Sequence, residues 1–173
     1  MYLEKNINIV LCGFMGCGKT TVGRRLSALT GRPFVDMDDY IVEQAGRTVP
    51  ALFEAEGEEG FRRRERQACR ELSERTGCIV AAGGGALTFE ENVRVLSASG
   101  VIVLLDVPPE VPLSRLAKDT SRPLLNGPGR EQRLRELYAA RLPLYRRAAA
   151  VTVDADATAV QVARRILRRL EEF

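Results

Sequence analysis

A glycine-rich segment near the start of the chain has the residue types and the spacing that bind a phosphate chain. Residues 13–20 read GFMGCGKT and match the pattern G-x-x-x-x-G-K-[ST] in full, between an apolar run and a helical pattern. Its glycines let the backbone wrap around phosphates, where a Cβ would collide or forbid a positive φ. We expect Lys19 to reach the β- and γ-phosphates of a nucleotide, and the hydroxyl of Thr20 to ligate Mg²⁺. The segment predicts binding of ATP with magnesium, and phosphoryl transfer.

Two positions compete for the acid that accompanies the metal. Asp36 and Asp38 close the second apolar run, and on an extended segment alternate residues point to the same side, so both could face one cleft. Asp106 directly follows the apolar run 101–105. Each position also has a structural explanation, because Asp106 can be the polar end of a strand, and Asp38 and Asp39 can cap a helix. The pattern favours the paired acids without deciding between the two positions.

An inward-pointing glutamate predicts a buried charge pair. Glu65 falls on the apolar stripe of a predicted helix, four residues after Phe61, so its carboxylate needs a cation. Arg62 and Arg64 flank that stripe on its two sides, and either can supply the positive charge. Three further arginines of this helix point toward solvent in the same pattern: Arg63, Arg66 and Arg70.

Three features later in the chain are consistent with a ligand site. Residues 83–85 are all glycine and leave backbone N–H groups open to a small ligand, although a tight turn has the same appearance. Arg122 precedes a proline within residues 118–130, whose prolines and glycines are typical of a mobile lid. Arg141 lies just before Pro143, where we expect its helix to end or kink.

Short apolar runs alternate with helical patterns along the chain. The predicted strands are residues 7–12, 33–37, 78–82, 101–105 and 150–153. The predicted helices are residues 19–29, 38–45, 58–75, 90–97, 109–118, 130–140 and 158–171. This alternation predicts a three-layer α/β/α fold around a five-stranded parallel sheet, in a single domain of residues 1–173.

Composition excludes several classes of function. The net charge is only +3 over 173 residues, with acids and bases interleaved, which does not indicate a nucleic-acid partner. The absence of histidine excludes His-based triads, His-ligated metals and a histidine general base. Four cysteines without a C-x-x-C pair indicate reduced thiols. Residues 1–8 show no signal-peptide pattern, and no apolar run reaches the roughly 18 residues of a membrane span. We therefore expect a cytoplasmic protein without a membrane partner. We also expect it to be monomeric.

One cysteine lies inside the phosphate-binding segment. Cys17 is two residues from Lys19, among backbone N–H groups at a helix start, which is a setting typical of reactive thiols. We expect it to alkylate faster than the other three cysteines, and Mg·ATP to protect it. The alternative is a side chain that is turned into the protein and inert.

Taken together, these segments resemble the shikimate kinase family over nearly the whole chain. The segments that carry the resemblance are residues 13–23, 36–38, 60–63, 83–85, 122–125 and 141–145. The resemblance implies a P-loop kinase fold. It also implies transfer of the γ-phosphoryl group of ATP to the 3-hydroxyl of shikimate, giving 3-phosphoshikimate and ADP, in aromatic amino acid biosynthesis.

The resemblance also implies roles for the acids and for the substrate arginines. Asp36 would help to hold Mg²⁺ through water, together with Thr20, and Asp38 would contact the shikimate hydroxyls and act as the base. Arg62 is selected over Arg64, with Glu65 orienting it. The substrate carboxylate would then be held by five residues: Arg62, Arg141 and the backbone N–H groups of Gly83, Gly84 and Gly85. Asp106 takes the structural role.

On the nucleotide side, the resemblance implies that Arg122 closes over the phosphates with the lid and that Arg115 lies near the adenine. The remaining ATP contacts would come from the phosphate-binding segment: Gly16, Cys17, Gly18, Lys19, Thr20 and Thr21. The resemblance thus implies three catalytic residues, namely Lys19, Asp38 and Arg122.

Overall fold

The central element of the computed structural model, which describes residues 4–117, 119 and 127–173, is a parallel sheet. Within those residues its strands are β1 (Asn8–Cys12), β2 (Phe34–Asp36), β3 (Ile79–Ala81), β4 (Gly100–Asp106) and β5 (Val151–Asp154). Their order across the sheet is β2-β3-β1-β4-β5, and every neighbouring pair is parallel. The predicted five-stranded parallel sheet is therefore confirmed.

Helices cover both faces of the sheet. They are α1 (Lys19–Thr30), α2 (Met37–Ala45), α3 (Val49–Ser73), α4 (Glu90–Ser99), α5 (Glu110–Leu116), α6 (Arg130–Ala148) and α7 (Ala159–Glu171). Because successive strand residues point to opposite faces, β1 contributes Val10 to one core and Ile9 and Leu11 to the other. The first core packs against α2, α3, α4 and α6, and the second against α1 and α7. This is the predicted three-layer α/β/α arrangement.

Parallel pairing brings three chain segments together at the carboxyl edge of the sheet. Leu11 of β1 pairs with Ala81 of β3, and Asp36 of β2 pairs with the same residue on its other side. The N–H of Ala82 then bonds to the carbonyl of Leu11 at 3.0 Å. The loop after β1, the end of β2 and the glycine run after β3 are therefore neighbours. This edge is where open α/β sheets bind their ligands.

Two helix boundaries differ from the predicted ones by more than two residues. Helix α3 begins at Val49 instead of residue 58, with the Thr48 side chain capping it by accepting the N–H of Ala51 at 3.3 Å. Gly57, with φ 70° and ψ −178°, interrupts the helix and obscures its apolar periodicity, so the first two turns were missed.

Helix α6 continues through Pro143 to Ala148, so the predicted end at residue 140 was wrong. Pro143 removes only one backbone hydrogen bond, whereas two inward-facing residues of this segment, Arg141 and Tyr145, are buried by the helix as it continues.

Among the described helices, none combines the length and the apolarity of a membrane span.

Candidate active site

The loop between β1 and α1 forms one side of a cavity at the carboxyl edge of the sheet. Gly16 and Gly18 have φ values of 78° and 99°, which other residues rarely adopt, so the predicted role of glycine in shaping this loop is met here. We call this cavity the phosphate cavity. It is lined by residues of the loop and of the start of α1, and by the two acids near the end of β2: Gly16, Gly18, Lys19, Thr20, Thr21, Asp36 and Asp38. Backbone N–H groups and the start of α1 give this cavity the properties of an anion site.

Lys19 lies against its own loop. Its Nζ donates to the carbonyl of Gly13 at 2.6 Å and to that of Phe14 at 3.2 Å. The ammonium also lies 3.8 Å from the Sγ of Cys17. These contacts hold the positive charge at the wall of the phosphate cavity, where a phosphate oxygen can replace a carbonyl as acceptor.

Asp36 and Thr20 supply hard oxygen atoms at the base of the phosphate cavity. The Thr20 hydroxyl donates to Oδ2 of Asp36 at 2.6 Å, while Oδ1 of Asp36 accepts the N–H of Asp39 at 3.1 Å. Within the described chain, no group of three or more His, Cys, Asp or Glu residues could enclose a metal. The oxygen donors fit Mg²⁺, which keeps several waters and takes its other ligands from substrate phosphates.

The paired acids meet at the site for a different reason from the expected one. Strand β2 ends at Asp36, which is the N-cap of α2, and Asp38 lies in the first turn of that helix rather than on an extended segment. Both nevertheless line the phosphate cavity, because the strand-to-helix junction turns there. The N-cap role considered for Asp38 and Asp39 belongs to Asp36.

Asp106 lies away from these residues. It ends β4, and its Oδ2 is 3.6 Å from an amino group of Arg146. Among the described residues that line the phosphate cavity, Asp106 is absent. Its position agrees with the structural explanation for this acid.

A second cavity adjoins the first and is called the arginine cavity. Its charged lining consists of Arg62, Glu65, Arg141 and Asp38. Its apolar lining is Met15, Val49, Phe53 and Phe61, and the backbone of Gly84 and Gly85 completes it. Val49 and Phe53 were missed from sequence because they belong to the part of α3 before Gly57. A small ligand with an anionic group and an apolar ring face matches this lining.

Glu65 forms the inward charge pair with Arg62, as predicted. Its carboxylate is only 1% exposed and accepts a hydrogen bond from Nη1 of Arg62. Burial raises the pKa of Glu65 above its ordinary value, and the positive charge of Arg62 opposes that shift. The competing cation, Arg64, instead binds Glu56 through two hydrogen bonds of 2.8 and 2.6 Å. The structure thus brings Arg62, and not Arg64, to the cavity.

Arg141 is a buried cation in the arginine cavity. It is 7% exposed, and among the described residues it has no carboxylate oxygen within 4 Å. Burying a charge without an ionic partner is costly, so a site with this feature favours an anionic ligand. Together with Arg62, it places two guanidinium groups on the walls of one cavity.

The glycine run after β3 is more than a tight turn. A Cβ at Gly83 would lie 2.6 Å from Oε2 of Glu65 and 3.1 Å from Oδ1 of Asp38. A Cβ at Gly85 would collide with the guanidinium of Arg62. The backbone therefore passes directly beneath the charged groups of the arginine cavity.

The two cavities share a boundary. Met15, Asp38 and Gly84 line both of them. Asp38 therefore lies at the side of the arginine cavity that faces the phosphate loop. This arrangement suits transfer of a group from a nucleotide to an acidic polyol.

The remaining predicted site residues have different outcomes. Arg115 donates to the carbonyl of Gly16 at 2.8 Å, which places it beside the phosphate loop, and its adenine contact stays a prediction. Arg122 lies outside the described residues. Cys17 is only 2% exposed and packs in the core beneath the loop, so its side chain is turned into the protein, as in the alternative, and its reactivity stays a prediction.

Comparisons with known proteins indicate one family. The sequence profile of the family described as shikimate kinase matches residues 15–171. A shikimate kinase from Halorhodospira halophila is 47% identical over 164 residues, which covers 94% of this chain and 93% of that protein.

The structure of shikimate kinase from Acinetobacter baumannii in complex with shikimate has a TM-score of 0.94 and 44% identity, covering 98% of this chain and 95% of that one. The structure of shikimate kinase from Bacteroides thetaiotaomicron has a TM-score of 0.85 and 32% identity, covering 96% of this chain and 99% of that one. The matched residues 15–171 include all those that line the two cavities.

Proposed function

This chain belongs to the shikimate kinase family, and we propose that its two adjoining cavities hold the two substrates of that reaction. The enzyme uses ATP to phosphorylate shikimate. In the proposed arrangement, shikimate occupies the arginine cavity and the phosphates of ATP occupy the phosphate cavity. The γ-phosphoryl group then passes to the 3-hydroxyl of shikimate across the boundary that Asp38 lines.

The observation that carries this arrangement is the buried charge of Arg141, which has no ion pair among the described residues. Shikimate is a carboxylated ring with hydroxyl groups away from its carboxylate. Its carboxylate would accept hydrogen bonds from Arg141 and Arg62, the two cations among the described residues that line the cavity. The apolar side chains of Val49 and Phe53 would contact the ring, and the hydroxyls would then face Asp38.

Asp38 is the proposed general base. It lines both cavities and is thus positioned to accept a proton from the attacking hydroxyl. Glu65, the other acid of the arginine cavity, is held by Arg62 and is proposed to orient that guanidinium instead.

Lys19 is the proposed main source of positive charge at the transferring phosphoryl group. Its ammonium is already at the wall of the phosphate cavity and needs only to exchange a loop carbonyl for a phosphate oxygen. Thr20 and, through water, Asp36 would hold Mg²⁺, which neutralises phosphate charge when bound. Arg122 is proposed to add a second cation from the lid formed by residues 118–130, and the chain is proposed to act as a cytoplasmic monomer.

An acceptor panel tests the proposed substrate. We expect ADP release in a coupled assay to depend on shikimate, and ³¹P NMR to show the phosphate on the 3-hydroxyl. Gluconate and nucleoside monophosphates, tested at the same concentration, should give little turnover. Faster ADP release with either of these, or a rate that is independent of the acceptor, would overturn the assignment.

A pair of neighbouring variants tests the proposed base. Asp38→Asn should lower kcat by about 10²–10⁴-fold, which is the usual contribution of general acid–base catalysis. Asp39→Asn is the matched control, because Asp39 is exposed and its contact with Asp36 uses only its backbone N–H. Similar kcat values for the two variants would remove Asp38 from the role of base.

A further inference from the structure

Helix α6 carries a buried tyrosine one turn beyond the carboxylate-binding arginine. Tyr145 follows Arg141 by four residues, so both side chains extend from the same face of the helix. Tyr145 is 1% exposed, and its hydroxyl donates a hydrogen bond to the carbonyl of Gly84. Tyr145 itself is not among the residues that line the arginine cavity. The Gly84 carbonyl therefore points away from that cavity.

The orientation of this carbonyl determines the orientation of the next N–H group. No cis peptide occurs among the described residues, and in a trans peptide the C=O and the following N–H point in opposite directions. With the carbonyl of Gly84 held by Tyr145, the N–H of Gly85 points into the arginine cavity. Within the described part of the chain, no hydrogen bond uses this N–H.

The same peptide lies between the two guanidinium groups of the cavity. A Cβ at Gly84 would be 3.5 Å from Nη1 of Arg141, and a Cβ at Gly85 would collide with Arg62. An anion that is bound by both arginines therefore comes next to the Gly85 N–H. A carboxylate has enough acceptor positions for all three donors.

We propose that Tyr145 is a positioning residue for shikimate, whose hydroxyl holds the Gly84–Gly85 peptide so that the Gly85 N–H donates to the substrate carboxylate. This inference rests on the proposed function, in which the arginine cavity binds that carboxylate. It adds a donor orientation that depends on a side chain outside the cavity.

The Tyr145 hydroxyl stays protonated, and is therefore a donor, near neutral pH. Burial raises the pKa of Tyr145 above its ordinary value, while the positive charge of Arg141 acts in the opposite direction. The proposed hydrogen bond therefore adds no titration to the pH dependence of shikimate binding near neutral pH.

A pair of tyrosine variants on the same helix tests the inference. Tyr145→Phe removes only the hydroxyl, and we expect it to raise the KM for shikimate about threefold to tenfold. The kcat and the KM for ATP should change by less than about twofold. Tyr138→Phe is the matched control, because it loses a hydroxyl that donates at 2.6 Å to the carbonyl of Val107, away from the arginine cavity. Both variants lose one hydrogen bond to a carbonyl, so a loss of stability alone should lower both Tm values and neither KM. Tyr145→Phe also loses the contact of the hydroxyl with Arg141, so a raised KM supports the inference only together with the Gly85 amide shift described next.

An NMR measurement keeps the inference testable if Tyr145→Phe does not fold. In ¹⁵N-labelled wild type, saturating shikimate should move the Gly85 amide proton downfield, as expected for a new hydrogen bond to a carboxylate. An unshifted Gly85 proton would overturn the inference, as would an unchanged KM for shikimate in folded Tyr145→Phe.

The uncharged amide of shikimate separates this inference from the proposed function. If wild type binds the amide as well as shikimate, the cavity does not bind the carboxylate and the proposed function fails. If wild type prefers shikimate but the two Phe variants have the same KM, only the role of Tyr145 is wrong. If both expectations hold, Tyr145→Phe should lose less affinity for the amide than for shikimate, since hydrogen bonds to a charged acceptor are about twice as strong.

Discussion

Arg141 offers the sharpest test of how this site recognises its substrate. The change Arg141→Met removes the guanidinium and keeps an unbranched apolar stem of similar length. Because the native guanidinium is 7% exposed and lacks an ionic partner among the described residues, removing it should not leave another charge unpaired. We therefore expect a folded variant, with a Tm within a few degrees of the wild-type value, that binds shikimate poorly.

The expected loss follows from the surroundings of the two arginines. Two opposite charges about 4 Å apart attract by about 4 kcal/mol at an effective dielectric constant of about 20, before desolvation is subtracted. The net value of a hydrogen bond to a charged group is about 1.5–3 kcal/mol, or about tenfold to a hundredfold in affinity. Arg62 forms ion pairs with Glu65 and, at 3.4 Å, with Glu58, whereas Arg141 forms no ion pair among the described residues and acts on Glu65 only through its charge. We therefore expect Arg141 to lie near the upper end of this range.

The assay compares shikimate with its uncharged amide by calorimetry and by steady-state kinetics. For wild type, the amide should bind about tenfold to a hundredfold more weakly than shikimate, whereas Arg141→Met should discriminate much less between the two ligands. The loss should appear mainly in the KM, since the carboxylate carries the same charge in the ground state and in the transition state. Arg146→Met is the control, because Arg146 lies on the same helix but is 59% exposed and faces Asp106.

Two results would refute this reasoning. One is equal affinity of the wild-type enzyme for shikimate and for the amide, which would mean that the carboxylate is not bound by charge. The other is an Arg141→Met variant that discriminates between the ligands as strongly as wild type, which would assign the recognition to Arg62 alone.

Four further predictions follow from the same structure. Lys19→Ala should lower kcat by about a hundredfold or more with an unchanged Tm, and a folded variant that keeps a tenth of the activity would contradict the role of this ammonium. Arg122→Ala should lower kcat far more than it raises either KM, since its charge is assigned to the transferring phosphoryl group, and a pure KM effect would remove that assignment. Because burial raises the pKa of Glu65 above 4.5, this carboxyl stabilises the fold most below pH 4.5 and loses that contribution as the pH rises through its raised pKa. Urea titrations should therefore show that the unfolding free energy of wild type minus that of Glu65→Gln falls as the pH rises. An increase of this difference with pH would mean that the ion pair with Arg62 affects the pKa of Glu65 more than burial does. Burial raises the pKa of the Cys12 thiol to about 12. Because Cys17 is also buried, it should alkylate no faster than Cys12 in the native protein. Mass mapping that shows faster modification of Cys17 would contradict its burial.

Much of the fold was predictable because its signals are local. The strands appear as short apolar runs, and an uninterrupted run such as that of β4 is typical of a strand covered on both faces. The helix boundaries failed where a local signal conflicted with packing. Gly57 ended the apparent periodicity of α3, and Pro143 looked like the end of α6, although both helices continue because their apolar faces are buried on each side of the interruption.

Some parts of the candidate site were predictable from local sequence, and others needed the resemblance to a known family. The phosphate loop was recognisable from sequence, since one continuous segment provides both the turn and the charge. The inward position of Glu65 was also predictable, because a helical period places it beside Phe61. The resemblance to a known family, rather than any pattern of charge, was needed to choose Arg62 over Arg64 and the paired acids over Asp106.

By itself, the sequence determined which groups were available: a phosphate loop, a buried glutamate, a run of bare glycines and arginines in excess. The tertiary structure decided which of them meet. It places Arg141 beside Gly84, 57 positions away in the sequence, and leaves its charge without an ionic partner among the described residues. It also supplies Val49 and Phe53 for the same cavity. The physical reason is that local sequence sets the side to which a residue points, whereas charge pairing and cavity lining depend on helices and strands that are distant in the chain and are brought together only by burial of the shared core.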